Sequence, residues 1–109
     1  MKRETAKRLL DARNACQEIQ HFAAGRSQDA IMTDRGLQLI LQTLLVTIGE
    51  ALNQVRQADP ETANLIPEIH RIIGMRHQIV HGYDSVDYPI VWKVSTTDVP
   101  KLATVCSMA

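Results

Sequence analysis

Aromatic side chains are almost missing from this chain: one Trp, two Tyr and one Phe stand among 109 residues. Strands favour aromatic and β-branched residues, and no segment alternates apolar with polar over a strand's length. Sheet architectures are therefore excluded. Net charge is missing too, since 12 Lys and Arg balance 12 Asp and Glu and the pI is near 6.9. A global basic field of the kind a nonspecific nucleic-acid binder carries is thus ruled out, and any nucleic-acid contact must rest on local clusters. Cysteine is scarce: Cys16 and Cys106 belong to no CxxC or metal-spaced group and read as buried free thiols. Repeats, low-complexity linkers and an apolar run readable as a signal peptide or membrane span are also lacking, and the start Met1-Lys2-Arg3-Glu4 is charged. The expectation is one domain, residues 1–109, in a reducing cytoplasm.

The apolar residues that are present fall at helical spacing. Leu9, Ala12, Cys16, Ile19 and Ala23 mark a first helix over residues 3 to 24, stopped by Gly25. Its basic end (Lys2, Arg3, Lys7, Arg8 and Arg13 against Glu4 and Asp11) reads as a solvated face. Ser27 or Asp29 can cap a short helix, and Thr33 or Asp34 the next. Leu37, Ile40, Leu41, Leu44, Leu45, Ile48, Leu52 and Val55 then predict a long central helix from about 35 to 57. Leu39 and Val46 form a second apolar face with Glu50 one turn beyond, and a second copy of the chain could cover it. Glu50 then either meets a cationic mate at that seam or is an exposed helix carboxylate.

Pro60 and Pro67 bracket a single helical turn. The next helix is expected from Pro67 to His81, with Ile69, Ile72, Ile73, Ile79 and Val80 inward and Gly82 ending it. Asp87 is expected to cap a helix carrying Tyr88, Val91 and Trp92, and Asp98 a last helix with Val99, Leu102, Val105 and Cys106 inward. The fold class is all-α, an up-and-down bundle of four to five helices.

Titratable chemistry gathers in residues 74–84, which hold Arg76, His77, His81 and Tyr83; no acidic residue lies between Glu68 and Asp84, so an electropositive spot is expected. Guanidinium can hold a crowded phosphate, and imidazole can move a proton to or from a 2′-hydroxyl or leaving oxygen, so the set suits phosphodiester cleavage. RNA carries its own nucleophile, so no metal is required. Arg76 and His81, five residues apart, diverge by about 140° around a helix. Either the helix ends early and re-aims His81, or two copies combine. Zinc on His70, His77 and His81 is the rival, but Gln78 follows His77 where an HExxH site has Glu, and no cysteine is near.

The run Arg76-His77-Gln78-Ile79-Val80-His81-Gly82-Tyr83 resembles the R-x4-H-x-Y motif of HepT-like toxins, a branch of the HEPN superfamily of helical ribonucleases. Ile48-Gly49-Glu50-Ala51, Ile73-Gly74-Met75-Arg76, and Val86-Asp87-Tyr88 followed by Ile90-Val91-Trp92 resemble the family in order and spacing, extending the likeness over residues 5 to 106. The resemblance implies a HEPN-like bundle and a homodimer whose two motifs line one cleft. It also implies metal-independent RNA cleavage without a cofactor, Arg76 holding the phosphate and His81 acting as acid or base. His77 and Glu50 are supporting residues. The implied partner is an MntA-type antitoxin, a minimal nucleotidyltransferase that adds AMP to the motif tyrosine, here Tyr83, with higher assembly open. The family commonly has Asn after the motif arginine; His77 here can orient, add a second proton-transfer group, or mark altered cleavage. The alternative is a non-catalytic helical module that serves as partner and substrate of a nucleotidyltransferase.

Overall fold

Helical periodicity becomes the architecture directly. A computed structural model describes residues 2–108, with the side chains of Tyr83 and Met108 outside the description. Among the described residues there is no strand. The helices are α1 (Arg3–Ala23), α2 (Gln28–Thr33), α3 (Arg35–Ala58), α4 (Pro60–Ala63), α5 (Ile69–His81), α6 (Tyr88–Lys93) and α7 (Val99–Met108). A 3-10 turn spans Tyr83–Ser85 and a π turn Val94–Asp98. The fold is an all-α, HEPN-like bundle. Its extents are 41 × 28 × 18 Å, and the shortest is about two helix diameters, so the bundle has two layers.

α3 is the central element. Leu37, Leu41, Leu45, Ile48, Leu52 and Val55 are buried, while α1 packs on one flank and α5 on another. α3 is also long and apolar enough, by length and composition, to cross a membrane. Its buried stripe is the one that meets α1 and α5. α1 runs antiparallel to it: the Lys2 ammonium donates to the Ala58 carbonyl, and the Thr5 hydroxyl donates to the Asp59 carboxylate at 3.0 Å. α7 packs on the far side of α1, bringing buried Cys106 to the same helix as buried Cys16.

The helix starts follow the expected chemistry at two points, where Asp34 accepts from the Leu37 N–H and Asp87 from Ile90. A third cap, Asp59 accepting from Thr62, is not among those expected. Gly25, at φ +73°, takes the left-handed conformation that ends α1. Three expectations differ. α5 begins at Ile69 rather than Pro67, because Glu68 adopts φ 59° and closes a turn first. Val80 faces outward, 41% exposed. Asp98 caps nothing: α6, the π turn and α7 form one continuous rod. Pro100 lacks an N–H, and its ring would strike the carbonyl four residues back. The chain widens just before it instead, the Val99 N–H bonding the Val94 carbonyl five residues back. Asp98 is thereby turned into the fold, where it meets Arg71 of α5 at 3.2 Å.

Candidate active site

α3 and α5 approach each other closely at Gly49. A side-chain carbon there would overlap the Arg76 stem, 2.8 Å from its Cγ and closer still to its Cβ. Only glycine leaves room for this contact. The guanidinium so placed reaches along α3 to Glu50, Nη2 to Oε2 at 2.8 Å, and the Gln54 amide donates to the other carboxylate oxygen at 3.4 Å. Arg76 is 28% exposed and Glu50 47%; the Arg76 Nε is buried without a partner. Of the two options for Glu50, the fold takes the cationic mate.

Glu50 also stands on the rim of an open groove of about 520 Å³ between α1 and α3, lined by Arg8, Asp11, Asn14, Glu18 and Thr47 among others. The sequence reading places the basic end of α1 in solvent and so misses Arg8 here. The signal was present: Arg8, Asp11, Ala15 and Glu18 share one side of α1 at spacings of three and four. A second open cavity of about 400 Å³ continues past Phe22, Leu39, Ile40 and Leu44. Leu39 is 44% exposed and Phe22 39%, so the Leu39 end of the second apolar face of α3 is left uncovered within one chain, while Val46 is half-buried against the core.

His81 is the last residue of α5, and the Gly82 N–H still bonds the Gln78 carbonyl at 2.8 Å. The helix is therefore intact from Arg76 to His81, and the two side chains leave it about 140° apart. An early helix end does not re-aim His81. His77 and His81 are exposed and adjacent on their own face, ring centroids 4.3 Å apart with 48° between planes. Tyr83 opens the 3-10 turn by its backbone, and its side chain lies outside the described residues. His70, two turns before His77, is exposed. Among the described residues no three His, Cys, Asp or Glu side chains gather where they could hold an ion.

The expected electropositive spot is largely neutralised. Both arginines of α5 meet carboxylates, Arg76 with Glu50 of α3 and Arg71 with Asp98 and Glu68. A window empty of acidic residues says nothing of those that tertiary packing brings in.

Comparison with known proteins places this geometry. A family profile described as ribonuclease HepT-like matches residues 12–109. A protein of Thermococcus cleftensis named probable ribonuclease HepT is 29% identical, over 94% of this chain and 92% of its own. Two proteins of Methanocaldococcus jannaschii, provisionally named RNases, are each 25% identical over 93% of this chain and 83% and 86% of their own. No solved structure matches at a comparable level of significance. With nearly its whole length matched, this chain belongs to the HepT-like ribonuclease family.

Proposed function

We propose that the chain is a metal-independent endoribonuclease toxin of a toxin–antitoxin pair, acting in the cytoplasm as a homodimer. The observation that carries the reading is the unbroken α5, which holds Arg76 and His81 about 140° apart. One chain cannot easily aim both at a single phosphodiester; two chains facing each other can. The uncovered Leu39 and Phe22 face of α1 and α3 supports pairing of copies.

In the cleft Arg76 holds the non-bridging oxygens of the scissile phosphate and offsets charge as the phosphorus becomes five-coordinate. The RNA 2′-oxygen loses its proton and attacks phosphorus, and the 5′-oxygen leaves with a proton; His81 serves as the acid or base in this exchange. Glu50 holds Arg76 until a phosphate competes for it, and His77 supports His81. Control comes from an MntA-like nucleotidyltransferase antitoxin that attaches AMP to Tyr83, bringing negative charge and bulk where RNA phosphate must sit. The Arg76–Glu50 pair favours one second reading, a non-catalytic module that is partner and substrate of such an enzyme, because the pair occupies the phosphate-binding edge.

Complementation between variants tests the proposal. Arg76→Gln, which keeps the stem packed on Gly49, and His81→Ala should each abolish RNA cleavage and growth inhibition while melting as wild type does. Mixed and refolded together they should regain about a quarter of wild-type cleavage, since half the dimers would hold one intact composite site of two. Silence in the mixture would place both groups within one chain. Wild type that leaves RNA whole in a chelator-treated assay, yet accepts AMP, would establish the non-catalytic module instead.

A further inference from the structure

The geometry points to a two-imidazole chelating site for a divalent transition ion on His77 and His81, and to reversible inhibition of the ribonuclease when it fills. The inhibitory half rests on the proposed role of His81; the site itself does not.

Residues four apart on a helix share a face, and paired histidines at this spacing are a recurring way of presenting two imidazoles to one ion. Here the rings are already together, centroids 4.3 Å apart. With metal–nitrogen bonds of about 2.0–2.1 Å, two imidazoles at a right angle around one ion have centroids about 4.5 Å apart, and tetrahedral ligation opens them to about 5.2 Å. The observed spacing is close enough for side-chain rotation to bring one nitrogen of each ring to a single ion. The order of affinities for nitrogen donors rises from Mn(II) through Ni(II) to Cu(II), so Ni(II) is a fitting probe of such a pair.

Among the described residues neither imidazole takes part in a hydrogen bond or ion pair, and both are exposed, so the remaining positions on an ion are open to water. The neighbouring cation does not crowd the site, since Arg76 is drawn to Glu50 on the α3 side. His70 cannot join: seven residues of helix separate it from His77 by about 10 Å along the axis. The site is thus a pair, of moderate affinity and filled reversibly. An ion there takes a lone pair of His81 that proton transfer needs, and adds a coordinated shell where substrate would lie. The same histidine that works without a metal in the proposed reaction is the one that a metal would silence.

Calorimetric titration of the metal-free chain with Ni²⁺ decides the site. One ion per chain is expected, with His77→Asn and His81→Asn each weakening binding by at least roughly tenfold, because either change turns a chelate into a single ligand. His21→Asn and His70→Asn, the other two histidines, should leave the titration unchanged. Binding untouched by His77→Asn, or none up to about 1 mM Ni²⁺, a concentration far beyond a chelating pair's range, would overturn the site. In a cleavage assay Ni²⁺ should inhibit wild type in step with occupancy, and a chelator should restore it; full cleavage at saturating Ni²⁺ would overturn the inhibition. If metal-free wild type cuts no RNA, the ribonuclease reading falls, and the titration still decides the site.

Discussion

Two glycines, one on each helix of the α3–α5 contact, should respond to the same substitution with opposite sign. Alanine at Gly49 places a methyl carbon 2.8 Å from the Arg76 Cγ and nearer its Cβ, where carbon atoms ordinarily rest about 3.5–4.0 Å apart. The neighbour is the root of a side chain rather than a free end, so relief requires α3 and α5 to separate. Overpacking of this kind costs about 1–3 kcal/mol, and the better helix propensity of alanine returns up to about 1 kcal/mol. With the full return the net loss reaches about 2 kcal/mol, which corresponds to a melting temperature lower by up to about 15 °C for a domain of this size. A Cβ at Gly74, inside α5, meets nothing within 4 Å. There only the propensity gain remains, and the melting temperature should rise by about 4–8 °C. Thermal unfolding followed by circular dichroism reads both, at one protein concentration so that any self-association is held constant. A Gly49→Ala chain that melts at or above wild type, or two alanines that shift stability in the same direction, would refute the claim that Arg76 packs through its stem.

Arg71→Ala should lower stability by about 1–3 kcal/mol in urea, because it strips the cation from Asp98, whose side chain is only 5% exposed; Arg71→Ala with Asp98→Asn should recover part of the loss. Hydrogen bonds hold two carboxylates below their ordinary value of 3.8, Asp34 chiefly through the Arg26 guanidinium and then the Leu37 N–H, Asp59 chiefly through the Thr62 hydroxyl. A lowered folded value means stabilisation that is complete above the unfolded pKa and lost as pH falls through the folded one. Melting temperature should therefore drop below about pH 4, and Asp34→Asn with Asp59→Asn should flatten that acid limb. Burial pushes Cys16 up to about 12 and Cys106 up to about 11, so neither thiol of the native protein should react with an aromatic disulfide reagent at pH 8, and both should react at once in denaturant. Rapid labelling of the native chain would show the α1–α7 contact to be open.

Much of the bundle is legible in the sequence because its cause is local. The α3 stripe from Leu37 to Val55, the caps at Asp34 and Asp87 and the stop at Gly25 each depend on residues a turn or less away. Asp98 is not legible for the opposite reason. An Asp two residues before a Pro looks like a helix start, and only the widened turn and the distant Arg71 reveal that the helix never stopped. The candidate site divides the same way. Arg76, His77 and His81 lie in one short run of α5, visible without a structure, whereas the pairing of Arg76 with Glu50 depends on a helix crossing that Gly49 permits. The angle between Arg76 and His81 is legible as arithmetic; that α5 stays unbroken between them is not.

Gly49 divides the Arg76–Glu50 pair into an anchored half and a movable half. The first two carbons of Arg76 are wedged between two helices, so its guanidinium pivots only about the outer torsions. Glu50, nearly half exposed at the groove rim, is the partner with space to leave. If an anion binds at Arg76 as proposed, the carboxylate is the group that yields and the arginine stays in place, so its position is fixed by backbone contact before any ligand is present.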